Sequence, residues 1–126
     1  HIITDRAIVE RHISKYSPGK FIISDIHPAV LASRAMCFIG NYYSTTFADA
    51  TSFKVPTIEY SEYSAPALEI TDGGSMRPER VTHFINRDPE KLRSVLCSIA
   101  LNPPKPVIPD ASEDEGFDTF LDYLST

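Results

Sequence analysis

The 126-residue chain has no tryptophan, only two cysteines and two methionines, and five glycines. No apolar run approaches the ~20 residues that a membrane-crossing helix needs. Two cysteines are too few for a disulfide-stapled scaffold, and no Cys or His pair has the spacing of zinc ligands. Basic excess is missing too: the pI is near 5.3, which argues against a surface built for nucleic acid. Cys37 and Cys97 each lie in an apolar stretch (Ala35-Met36-Cys37-Phe38-Ile39 and Val95-Leu96-Cys97-Ser98-Ile99). They read as reduced core residues in a reducing compartment. The start, His1-Ile2-Ile3-Thr4-Asp5, has neither the basic residues nor the long apolar segment of a signal peptide, so the expected location is cytoplasmic. It carries no initiator methionine, as expected of an expressed segment, a processed product or a fragment.

What is present suits one folded body with an appendage. Hydrophobic residues make up 42% of the chain, enough for a core at this length. Residues 1–104 hold 11 basic and 11 acidic side chains, so the net charge of −5 falls entirely on residues 105–126. Four of the ten prolines (Pro103, Pro104, Pro106 and Pro109) stand at that boundary and predict a stiff, extended connection. Beyond it, Phe117, Phe120, Leu121 and Leu124 recur at helical spacing among carboxylates, which predicts an acidic amphipathic helix. The expected division is a body over 1–102, a linker over 103–110 and a tail helix over 111–126.

Within the body, short apolar runs alternate with helical patterns. Residues 5–15 suit a helix capped by Thr4 or Asp5, and Ser17-Pro18-Gly19 stops it. Phe21-Ile22-Ile23 reads as a buried strand, followed by a helix with Pro28 in its first turn and residues 29–36 as its body. Cys37-Phe38-Ile39-Gly40 is a second strand, and a helix follows from Ser44 or Thr45 to Phe53. Val55-Pro56-Thr57-Ile58-Glu59-Tyr60 is a third strand, with proline at its tolerant start. A polar loop over 61–80 precedes a fourth strand candidate at 81–86. Asp88-Pro89-Glu90 then opens a helix that carries Leu92, Val95, Leu96 and Ile99 at helical spacing. Alternation of this kind with short connections predicts an α/β fold: a Rossmann-like three-layer sandwich, a mainly parallel sheet of about four strands with helices on both faces.

In such sheets ligands bind beyond the carboxyl ends of the strands. The second strand ends in Gly40-Asn41, and the next helix opens on Ser44-Thr45-Thr46. Unpaired N–H groups and three hydroxyls at a helix start suit phosphate, and Asp49 one turn on suits a ribose hydroxyl. The plain alternative is that Ser44 only caps the helix. Arg77 or Arg80, on the long loop, could add a cation.

These residues resemble a family. A buried strand, Gly-Asn, a Ser-Thr pair at a helix start, and then Val-Pro-Thr-Ile-Glu-Tyr is a pattern similar to the C-terminal, nucleotide-sugar-binding domain of GT-B glycosyltransferases. The look-alikes are bacterial surface-polysaccharide transferases, CDP-glycerol glycerophosphotransferases and UDP-GlcNAc 2-epimerases. Asn86-Arg87-Asp88-Pro89-Glu90-Lys91-Leu92 resembles the start of that domain's late helix, and the likeness spans about residues 20–100. It implies that Gly40, Asn41, Ser44, Thr45 and Thr46 surround donor phosphates, that Asp49 holds the ribose, and that no cofactor is required beyond a nucleotide-diphosphate or nucleotide-monophosphate sugar as donor substrate. It also implies an N-terminal acceptor domain outside this chain, no turnover by this half alone, and a cytoplasmic place that the full-length protein can bring to the inner membrane. Ile26-His27-Pro28 resembles the His-Pro motif of some capsule transferases, but only 15 residues separate Pro28 from Ser44. The structural role of Pro28 at a helix start is therefore the reading adopted. The competing expectation is a non-catalytic interaction module whose acidic helix, residues 114–124, docks on a protein partner, or covers the body itself.

Overall fold

The computed structural model describes residues 5–17, 19–42, 44–105 and 107. The expected tail helix lies outside them, as does half of the expected linker over 103–110.

Asp5 starts α1 (Arg6–Tyr16) by accepting the Ala7 N–H at 2.9 Å. This helix buries none of its side chains, and Ile8 is exposed. Arg6 ties it to the next segment, donating to the Ile23 carbonyl at 3.0 Å and facing Asp25 at 3.6 Å. That segment corrects one expectation. Residues 21–25 have no strand partner, and Ile22 is 91% exposed. A three-residue apolar run becomes a strand only when a neighbour takes its N–H and C=O groups, and here the Ile23 carbonyl goes to a guanidinium instead.

α2 (Pro28–Ala32) has proline in its first turn, and His27 caps it, Nδ1 accepting the Ala29 N–H at 3.2 Å. It is shorter than the expected 29–36. Ser33 Oγ donates to the Val30 carbonyl, and Arg34 and Ala35 bond three residues back, which tightens and closes the helix.

The sheet then forms from β1 (Phe38–Gly40), β2 (Thr57–Ser61) and β3 (His83–Asn86), all parallel, in the order β1-β2-β3. Its register pairs Phe38 with Thr57, Ile39 with Ile58 and Gly40 with Glu59, then Ile58 with His83 and Ser61 with Asn86. α3 (Thr46–Ser52) connects β1 to β2, and α4 (Ala65–Ile70) connects β2 to β3. α4 stands inside the segment expected to be a loop. Pro66 in its first turn favours it, and Asp72 and Gly73, both with φ above +50°, close it through a Gly73 N–H to Leu68 carbonyl bond of 2.8 Å. α5 (Pro89–Leu101) follows β3, capped as expected by Asp88, which accepts the Lys91 N–H at 2.9 Å.

The architecture is α/β, with three strands among the described residues. Two apolar clusters lie on opposite faces. Ala32, Ala50 and Val55 pack with Phe38 and Phe53 on the side of α2 and α3. Ile58, Ile85 and Ile99 pack with Tyr60, Leu92, Val95 and Leu96 on the side of α5. Cys97 corrects another expectation: it is exposed, because the helical period that turns Leu92, Val95, Leu96 and Ile99 inward leaves it off that stripe. Cys37 is half-buried, and both thiols are free. The Val107 N–H donates to the Phe53 carbonyl at 3.0 Å, so the chain beyond α5 returns to the end of α3. No described helix is long and apolar enough to cross a membrane.

Candidate functional site

Parallel strands deliver their last residues to one edge of a sheet, and here that edge carries a cleft of about 290 Å³. It is lined by Asn41 and Tyr42 just past β1, Tyr60 and Ser61 at the end of β2 with Glu62 beyond, and Arg87 just past β3. Its size is at the lower end of small-molecule sites, about 300–1,000 Å³.

Local chain geometry sets the lining. Tyr42 and Arg87 both hold left-handed backbone, at φ 42° and 52°. Side chains bearing a Cβ rarely adopt it, and its recurrence at a cleft marks places where the surroundings impose the conformation. Tyr42 is held by three contacts: its N–H donates to Ser61 Oγ at 2.8 Å, its hydroxyl to the Glu62 carbonyl at 2.7 Å, and its ring stacks on Tyr63. Arg87 donates its N–H to the Ser61 carbonyl at 3.0 Å and its guanidinium to the Glu62 carboxylate. Both partners of that ion pair are more than half exposed, so it adds little stability and leaves the guanidinium accessible to an anion.

The residues expected to bind phosphate occupy one connection, from β1 into α3. Gly40 is closely packed there: a Cβ would meet Phe47 Cζ at 3.0 Å and Cε1 at 3.1 Å. Asn41 alone of the six lines the cleft. Ser44 Oγ and Thr46 Oγ1 bond each other at 2.6 Å, and the Ser44 and Thr45 carbonyls accept from Phe47 and Ala48. Part of the hydrogen-bonding capacity expected for phosphate is thus used within the turn. Thr45 is exposed at the helix start, with no side-chain cap bond, and Asp49 is half-buried in α3, apart from the cleft lining. Arg77 and Arg80 do not line it either: each guanidinium faces Glu79, and the Arg80 carbonyl accepts from Thr57 at the amino end of β2.

The cation at the carboxyl edge is Arg87, which the sequence reading passed over along with Tyr42, Tyr60, Ser61 and Glu62. The signal was positional. Arg87 falls between a strand and the Asp88 cap, where a parallel sheet presents side chains to a ligand. Among the described residues no three His, Cys, Asp or Glu side chains gather as metal ligands. What the cleft offers is a guanidinium for an anion, a carboxamide and a carboxylate for hydroxyls, and aromatic walls. No family model, curated protein or solved structure matches the chain.

Proposed function

We propose that this chain is the donor-binding half of a glycosyltransferase-like enzyme of surface-polysaccharide synthesis, holding a nucleotide-diphosphate or nucleotide-monophosphate sugar at the carboxyl edge of its sheet. The observation that carries this reading is the cleft itself: Asn41, Glu62 and Arg87 converge from the ends of all three strands. A donor's phosphate would take the Arg87 guanidinium in bidentate fashion, releasing Glu62 to accept from hydroxyls of the ribose or sugar. The N–H groups at Thr45 and Thr46 lie next along the chain and would share the charge that grows on the departing phosphate, the Ser44 N–H being given to the Tyr42 carbonyl. The acceptor and the general base would come from a separate N-terminal domain, so the chain binds without turning over. On this reading it works in the cytoplasm, and reaches the inner membrane only through the full-length protein.

Titration with UDP, CDP and CMP to millimolar concentration, followed by amide chemical shifts, tests the proposal. Shifts at Asn41, Tyr42 and Arg87 are expected with at least one of them. No response to any of the three would sink the donor-half reading. A Ser44→Ala/Thr45→Ala double variant that binds as well as the wild type would confine the phosphate to Arg87.

A further inference from the structure

Thr57, Glu59 and Ser61 point to one face of β2, and all three are buried. Glu59 is the unusual member: it is 1% exposed and, among the described residues, forms no ion pair. A buried carboxylate is tolerated only when donors surround it. Here Ser61 Oγ donates to Oε1 at 2.8 Å and Ser75 Oγ donates to Oε2, while the Tyr63 phenol is near enough for the carboxylate to raise its pKa. Two of these partners lead onward. Ser61 Oγ, its proton committed to Glu59, presents its lone pairs to the Tyr42 N–H. Ser75 Oγ does the same for the Arg77 N–H at 3.0 Å. The carboxylate therefore orients two hydroxyls, one serving the cleft and one serving the loop after α4.

We infer that Glu59 is a positioning residue for the cleft: through Ser61 it holds Tyr42 in its left-handed conformation and so sets the wall against which a ligand lies. An acceptor-only side chain is needed at this place, because it fixes the direction of the Ser61 proton and leaves the oxygen free to accept. A polar group retained merely to fill the core would have no reason to connect to the cleft. The consequence for ligand affinity rests on the proposed nucleotide reading, whereas the consequence for Tyr42 does not.

The test compares Glu59→Gln, Ser61→Ala and Ser75→Ala in two readouts. In the free protein, amide hydrogen exchange at Tyr42 should quicken by about tenfold or more in Glu59→Gln and Ser61→Ala and stay at the wild-type rate in Ser75→Ala. With UDP, CDP or CMP, whichever binds wild type, affinity should weaken by about tenfold in the first two and hold in the third. The Glu59→Gln/Ser61→Ala double variant should be no worse than the worse single, since both cut one chain of contacts. A Glu59→Gln protein that melts earlier but keeps wild-type exchange at Tyr42 and wild-type affinity would overturn the inference. Should that variant fail to fold, the contrast between Ser61→Ala and Ser75→Ala decides: equal effects on Tyr42 would also overturn it. If no nucleotide binds wild type, the donor reading fails, and the exchange data alone judge Glu59.

Discussion

Tyr42 and Arg87 stand one or two residues beyond the ends of β1 and β3, the strands on either side of β2, and each accepts a backbone conformation that glycine would adopt at no cost. Arg87→Gly therefore separates shape from charge. Loss of the exposed pair with Glu62 costs at most about 1 kcal/mol, and relief of the left-handed strain offsets it. The melting temperature should hardly move, while nucleotide affinity drops by roughly tenfold or more with loss of a charged hydrogen bond. Calorimetry on the one variant reads both. Tyr63 supplies a pH signature. Burial, reinforced by the nearby Glu59 carboxylate, raises its phenol above the ordinary value near 10. A raised acid stays protonated in the native state after the unfolded chain has begun to ionise. Its contribution is thus fully present below pH ~10 and is lost as pH rises through the higher native value. Urea titrations at alkaline pH should show stability falling, and falling less steeply in Tyr63→Phe.

At the scale of elements, β1 and α3 pack closely where Gly40 meets Phe47. Gly40→Ala pushes a methyl against the buried Phe47 ring and toward Ser44 Cβ at 3.4 Å. Overpacking of this kind costs about 1–3 kcal/mol, read as a lowered denaturation midpoint. It should also disturb Asn41, the next residue. The elements themselves were largely legible. Asp88-Pro89 announced α5 because cap and first-turn chemistry are local, and β1, β2 and β3 followed from apolar runs punctuated by helical patterns. Residues 21–23 misled because a strand is a property of two segments, and the run alone is silent about a partner. The helix over 65–70 was hidden in a polar stretch, since its stop depends on the left-handed turn at Asp72 and Gly73.

For the whole molecule, the two faces of the sheet divide the chemistry. The cysteines, both on the α5 side, differ in exposure: Cys97 is exposed on the helix, whereas Cys37 packs against the Ile58 cluster and burial raises its thiol. Iodoacetamide at neutral pH should alkylate Cys97 first, with Cys37 following only on unfolding, as peptide mass spectrometry would show. The site was half legible for the same global reason. Asn41 could be placed because it directly follows a strand, but Arg87 and Glu62 join it only once three strands are aligned, and no local pattern in the sequence brings residues 41, 62 and 87 together.

The polar row on β2 has a consequence for how faithfully the sheet assembles. A central parallel strand with two apolar faces would tolerate slipping by one position, because one branched side chain would merely replace another. Here a slip would drive the Glu59 carboxylate among Ile85, Ile99 and Leu96 and strand the Ser75 hydroxyl without its acceptor. Such an error costs several kcal/mol per buried charge, so misaligned forms are rejected during folding rather than carried into the native population.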